Sequence, residues 1–401
     1  MNETKQIPES GAVPGWRNKV REFRYDNWLT SVRWKHHFER KKKLKAHRIR
    51  FGEFMKSVAA EPKKYTSSMP LSDLKVGVIL DTFSFACFEP ECHLISFTPE
   101  SWPEVLERNP IDFLLIESAW EGNKNTWPYR IEHFASPPDE QLDLLLEYCR
   151  VKGIPTVFWN KEDPPSFDRF IKTAAKCDYI FTTDENCVEK YEEYCGHDRV
   201  DTLPFAAQPK IHHPKTDKSH NGKVCFAGTY YADDFDRRKA GMDLLLNGAV
   251  DFELDIFDRQ HGYDGEHKNK YRFPERFQPF IRGSLSYEEM LGAYKEYGAF
   301  LNVNSVDDSP TMFARRVFEL LACGTPVVST ESAAITNLLG DSVLQVKTED
   351  DVTSALKKIL EDEEYRDSLS KRGLEKVSNH HTYAHRLAKI CHTLGIPVTL
   401  S

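Results

Sequence analysis

The sequence predicts an α/β protein of two Rossmann-like domains facing a cleft, preceded by a basic helical extension. Three observations carry this expectation. Short apolar runs alternate with amphipathic helical stretches in two series, one on each side of a polar linker. Neither series contains the GxGxxG turn of a dinucleotide site, which disfavours NAD binding. Charge is also divided unevenly. Residues 1–66 hold 17 Lys and Arg against 7 Asp and Glu, in a chain whose net charge is -8. Opposite signs in two parts of one chain assign the first part a separate task.

Composition sets the class. With 401 residues, the chain is long enough for two full cores, and its 40% hydrophobic and 29% charged shares are those of a globular protein. No run approaches the roughly 18 apolar residues of a membrane span, and the N-terminus lacks a signal-like apolar core. Nine Cys occur without CxxC pairs, the closest being Cys87 and Cys92. No His/Cys spacing suggests zinc. Reduced thiols in a cytoplasm are the expectation. No internal repeat is visible.

Residues 1–70 form the expected arm. Trp16, Val20 and Phe23, then Phe51, Phe54, Met55 and Val58, follow a helical period, and between them lies the basic run Arg40–Arg50. Two readings stand: a surface for anionic membrane, or a helix packed on the body or on a partner. Nucleic acid is not favoured, because no recognition module accompanies the charge.

Residues 71–209 form the expected first domain. Lys75–Asp81 reads as its first strand and Ile111–Ser118 as a second. The loop that follows carries Trp120, Glu121, Gly122, Asn123, Asn125 and Trp127, a set suited to stacking on sugar rings and bonding hydroxyls; core Trp residues in an ordinary loop are the alternative. Asp139–Lys152 reads as a helix stopped by Gly153. Ile154–Trp159 is a third strand, followed by Asn160, Lys161, Glu162 and Asp163 before two prolines. Carboxylates at a strand end are candidate acid/base groups, so Glu121, Glu162 and Asp163 are the catalytic candidates. Trp120, Asn123 and Asn160 are the substrate-binding candidates. Cys177–Cys187 and Val200–Pro209 complete this half.

Residues 210–380 form the expected second domain, after the linker 210–221. Gly222–Tyr231 reads as a strand and turn in which Gly228 and Thr229 bring backbone N–H groups near a phosphate. Asp236, Arg237, Arg238 and Lys239 open the next helix. Asp251–Tyr263 is a strand, and Phe273–Gly283 reads as irregular. Ala299–Val303 is a buried strand. A helix start is expected at Asp308–Pro310, with Phe313, Val317, Leu320 and Leu321 on one face and a stop at Gly324. Arg316 and Glu319 share a face of that helix. An Arg beside a diphosphate and a Glu on ribose hydroxyls would use both charges; a solvated ion pair is the other reading. Residues 350–360 and 364–377 read as covering helices. Residues 381–401 form a final helix expected to cross back to the first domain. Its His380, His381 and His385 are read as structural.

The stretch RVFELLACGTPVVST resembles the donor-site motif of nucleotide-sugar glycosyltransferases of the GT-B fold. The blocks VGVILD, LLIESAWEGN, IPTVFWNKEDP, DYIFTTD and LPFAAQP resemble the N-terminal domain of the bacterial CgeB-like family, spanning about residues 74–209. This resemblance implies transfer of a sugar, with UDP the commonest nucleotide, to a teichoic-acid-like, cell-surface glycan or protein acceptor. It implies that Arg237 or Arg238 is a donor-site cation and that Glu319 holds the ribose. The second acid of that motif, eight residues earlier, falls on Thr311, which departs from the pattern. No required metal is expected, since no DxD stands in place; the Asp233–Asp234 and Asp307–Asp308 pairs are the nearest approach. The location expected is cytoplasmic, with peripheral attachment to the inner membrane face through the arm. Two alternatives share the fold: a nucleotide-sugar 2-epimerase, and a degenerate binding or scaffold module.

Overall fold

The computed structural model describes residues 51–52, 54–132, 140–217, 219–231, 236–265 and 268–400. The basic run Arg40–Arg50 and the pair Asp233–Asp234 lie outside the described residues. So do Trp16, Val20 and Phe23.

A short strand, β1 (Met69–Pro70), precedes the first sheet. That sheet contains β2 (Lys75–Ile79), β3 (His93–Ser96), β4 (Phe113–Glu117), β5 (Thr156–Asn160), β6 (Tyr179–Thr182) and β7 (Val200–Thr202). The second contains β8 (Val224–Gly228), β9 (Leu254–Asp258), β10 (Ile281–Gly283), β11 (Ala299–Asn302), β12 (Val327–Thr330) and β13 (Leu344–Val346). Both sheets are wholly parallel, in the orders β3-β2-β4-β5-β6-β7 and β10-β9-β8-β11-β12-β13. Strand order reverses between β2 and β4 in the first sheet and between β8 and β11 in the second. Open α/β sheets bind ligands outside the carboxyl ends of strands at such points.

The central strands are unbroken apolar runs because helices cover both faces. Every residue of β4, β5 and β11 is buried. Each sheet therefore has two cores. Trp102, Trp127, Leu114 and Phe158 lie on one side of the first sheet; Val76, Phe113 and Trp159 lie on the other. In the second sheet, Cys225 and Phe300 lie on one side, and Val224 and Phe226 on the other. The end of the arm joins this packing. Phe51 and Phe54 meet the ring of Trp102 edge-on, and Phe54 stacks on Tyr148 at 5.6 Å.

The helix Tyr383–Thr393 lies against the first domain, not the second. Tyr383, Leu387, Ile390 and Cys391 share a core with Leu71, Leu74 and Val76. Beyond it, β14 (Val398–Thr399) pairs in parallel with β1. Arg386 fixes the crossing: its guanidinium donates to the Pro204 and Phe205 carbonyls at 2.7 Å each. Burial brings its pKa down to about 10. His381 is buried, and burial with the neighbouring Arg386 charge brings it to about 3. Thr382 caps this helix by accepting from His385 N–H, and the His385 ring accepts in return from Thr382 N–H.

One local expectation fails. The helix of the central motif begins at Arg316, not near Asp308. Ser309 is not its cap. Its hydroxyl donates to Asp184 of the first domain at 2.5 Å, and the Thr311 hydroxyl donates to Thr183 O and accepts from Glu185 N. These cross-domain bonds hold residues 309–311 outside the helix. Phe273–Gly283, read as irregular, ends in edge strand β10. All nine cysteines are free. Among the described residues, no helix is long and apolar enough to cross a membrane.

Candidate active site

The second domain contributes a cationic cradle at its switch point. Gly228 ends β8, and buried Thr229 follows it. The Arg316 guanidinium donates to the Ala227 carbonyl, beside Gly228. Arg238 donates to Val303 O at 3.2 Å and Ser305 Oγ at 3.0 Å, beyond β11. Its Nε is buried without a hydrogen-bond partner. Burial lowers the Arg238 pKa, and the nearby Arg316 charge lowers it further. Two guanidiniums thus stand at the ends of neighbouring strands β8 and β11, and among the described residues neither has a carboxylate within ion-pair distance. Such a site favours an anion. Arg237 is elsewhere: its side chain is 84% exposed and pairs with Asp307 at 3.0 Å.

Glu319 lies beside the cradle and is fully buried. Its Oε2 accepts from the Tyr294 hydroxyl at 2.9 Å, and its Oε1 is 3.0 Å from Arg315 Nε. Oε1 has no well-aligned hydrogen bond. His212 is 3.9 Å away. Burial lowers the His212 pKa, and the Glu319 charge opposes that shift. Thr311, where the related motif has its second acid, is spent on the domain contact described above.

The first domain brings carboxylates to its own switch point. Asp81 follows β2, and its side chain accepts from the N–H groups of Trp120, Glu121 and Gly122, at 2.8 Å for Gly122. Glu117, fully buried at the end of β4, accepts from Asp81 N at 2.6 Å and pairs with Lys161 at 2.9 Å. Lys161 also donates to Ser84 at 2.7 Å. Burial pushes the Glu117 carboxyl up, and Lys161 opposes that shift. Glu162 stands next to this pair and is half-buried. Burial raises its pKa; Lys161, the Trp120 indole and Arg259 pull it down, while Asp81 pushes it up. Arg259 comes from the second domain, where its N–H donates to Gly228 O at 3.2 Å. Glu162 thus feels charge from both domains.

Several predicted site residues do other work. Asn123 is corrected to a structural role. Its amide donates to Val78 O and Phe97 O and accepts from Leu80 N, which uses it up beneath the loop. Trp127 is fully buried, with its indole N–H on Phe97 O. Asn160 is corrected likewise: fully buried, it donates to Asp163 and Tyr191 at 2.7 Å each. Asp163 is fully enclosed too, accepting from Asn160, Thr182 and Tyr191, and burial raises its pKa to about 7. A carboxyl without access to solvent or substrate is no acid/base candidate. Trp120 is half-buried, edge-on to Phe170 at 5.4 Å. Glu121 is exposed on the loop.

Sequence reasoning missed Asp81 as the loop's anchor, the Glu117–Lys161 pair, Arg259, and the Arg315–Tyr294 setting of Glu319. A signal existed for two of them. Asp81 and Glu117 each end an apolar strand, the position where a side chain enters the cleft. Nothing local marks Arg259, or Tyr294, which acts through its bond to Glu319 on another element.

Two facing Rossmann-like sheets with a helix crossing back define the GT-B class of fold. Residues 240–392 match the family model described as glycosyl transferase-like. Solved structures agree on the fold. An alpha-glucosyltransferase in complex with UDP and DNA aligns with a TM-score of 0.55 at 12% identity, over 81% of this chain and 100% of that one. HepE of Anabaena, in complex with UDP-glucose, aligns at 0.51 and 11%, over 80% and 100%. The sucrose-phosphate synthase of Thermosynechococcus elongatus aligns at 0.50 and 14%, over 80% and 98%. No curated protein matches the chain by sequence.

Proposed function

We propose that the chain is a glycosyltransferase that takes a nucleotide-sugar donor in its second domain and an acceptor hydroxyl in its first. The observation that carries this reading is the pair Arg238 and Arg316, two guanidiniums without carboxylate partners among the described residues, at the switch point of the second sheet. They would take the diphosphate, with Gly228 and Thr229 allowing close backbone approach. Glu319 Oε1 would accept from a ribose hydroxyl. Glu162 would take the acceptor proton as the acceptor oxygen bonds to the anomeric carbon. The bond from that carbon to the diphosphate breaks, and its electron pair leaves with the diphosphate, held by the two arginines. Closure of the domains keeps water, the competing nucleophile, from the sugar.

A uridine nucleotide is the favoured donor class, since structural neighbours carry UDP or UDP-glucose. The CgeB-like blocks of the first domain support a cell-surface glycan, teichoic-acid-like polymer or protein as acceptor. The basic run Arg40–Arg50 supports a cytoplasmic protein resting on anionic membrane.

The test is calorimetric titration with UDP, GDP and CDP of the wild type and Arg238→Ala. One nucleotide should bind the wild type, and Arg238→Ala should lose about tenfold or more in affinity, the worth of a charge-assisted bond. Equal binding by both proteins removes Arg238 from the donor site. No binding of any nucleotide to the folded wild type overturns the reading.

A further inference from the structure

Arg315 is absent from the scheme above, yet it is the side chain that touches both domains beside Glu319. It precedes the helix Arg316–Ala322. Its Nε lies 3.0 Å from Glu319 Oε1. On its other side, the guanidinium carbon is 3.4 Å from the centroid of the Phe83 ring. Phe83 belongs to the first domain, two residues after Asp81, at the carboxyl end of β2. Tyr287 of the second domain meets Phe83 edge-on at 5.5 Å and lies 5.9 Å from the guanidinium. The order is thus Phe83, Arg315, Glu319, Tyr294, from one domain into the other. Glu319 is 0% exposed at the end of this stack.

A carboxylate with no exposed surface cannot receive a ribose hydroxyl until a neighbour moves. Tyr294 is fully buried within the second domain and is held in its core. Arg315 is 32% exposed and leans on the other domain. Arg315 is therefore the side that opens. We propose that Arg315 is a positioning residue that ties Glu319 to the acceptor domain through Phe83, so that a donor must part Phe83 from Arg315 to reach that carboxylate. This rests on the donor-site reading of Glu319. The cation–π contact stabilises the closed, ligand-free arrangement, and the fraction of molecules able to accept donor falls accordingly.

The arrangement makes a prediction that simple damage would not imitate. Phe83→Leu keeps an apolar side chain but loses the ring. On the full chain, it should tighten UDP binding by about threefold to tenfold, because fewer molecules are held closed to the donor. Phe83→Tyr keeps the ring and should bind and turn over as the wild type does. Arg315→Lys keeps the charge and loses the planar stack; it should also tighten binding, which covers the case of a poorly folded Leu variant. Unchanged or weaker UDP binding in a folded Phe83→Leu protein overturns the proposal. If the wild type binds no nucleotide, the donor reading fails separately. Small-angle scattering then decides: a larger radius of gyration for Phe83→Leu retains the latch, and an identical radius overturns it.

Discussion

Glu162 and Asp163 are neighbours in the chain with opposite fates. Glu162 is half-buried beside Lys161, while Asp163 is sealed among Asn160, Thr182 and Tyr191. The sequence shows four polar residues in a row after a strand, which marks a strand-end loop but not which side chain turns outward. That depends on partners 19 and 28 residues from Asp163, Thr182 and Tyr191. The two carboxyls can be separated by measurement. Glu162→Gln should lower kcat by about 10²- to 10⁴-fold, the usual worth of a general base, with nucleotide affinity nearly unchanged. Since a base must be ionised and burial raises the Glu162 pKa, kcat/KM in the wild type should rise with pH through a value above the ordinary carboxylate range. Lys161→Met should move that limb higher. Asp163 instead concerns stability. Its folded pKa of about 7 exceeds the unfolded value of about 3.9, so the protonated form is favoured by folding. Its contribution is fully present below the unfolded pKa and is lost as pH rises through the folded one. Between about pH 4 and pH 8 the wild type should therefore lose up to about 4 kcal/mol relative to Asp163→Asn, read from denaturant midpoints.

At the scale of elements, burial on both faces decides what a sequence discloses. The apolar runs of β2, β4, β5 and β11 stand out because helices cover both sides of each sheet. The edge strands β3 (HLIS) and β10 (IRG) are partly open and carry no such run, so neither was legible. The helix start near Asp308 misled for a different reason. Ser and Pro there satisfy the rules for a local cap, but tertiary partners in the first domain claim Ser309 and Thr311. The Trp120–Trp127 loop misled similarly. Its Gly122, Asn123, Lys124 and Asn125 all have positive φ, and Asn123 is the pin that holds them. Asn123→Ala would leave Leu80 N–H without its acceptor and remove a donor from the Val78 and Phe97 carbonyls, at a left-handed backbone position. A loss of about 2–4 kcal/mol is expected, measured as a lower urea midpoint with m unchanged. A midpoint within error of the wild type would mean that water replaces the amide and that the loop has another anchor.

At the scale of the molecule, the site exists only because two sheets present their carboxyl ends to one another. The cradle comes from the second switch point and Glu162 from the first, and Ser309–Asp184, Thr311 and the returning helix Tyr383–Thr393 hold them in register. Alternation of strands and helices was enough to predict two such sheets. It was not enough to predict which side chains would meet, because Ser309 and Asp184, which hydrogen-bond across the domains, are 125 residues apart in the chain. The same geometry bears on how the leaving group is stabilised. A departing nucleoside diphosphate gains negative charge, which a divalent ion or fixed cations can offset. Arg238 and Arg316 are fixed by backbone carbonyls and need no reorganisation when that charge develops. They are also unpaired with carboxylates among the described residues, so no protein anion competes for them. Turnover should accordingly persist within about twofold in excess EDTA, while Arg238→Ala lowers it by about 10²-fold or more. Loss of turnover in EDTA, restored by magnesium or manganese, would mean that an ion completes the cradle and that the arginines bind the donor without carrying the leaving group alone.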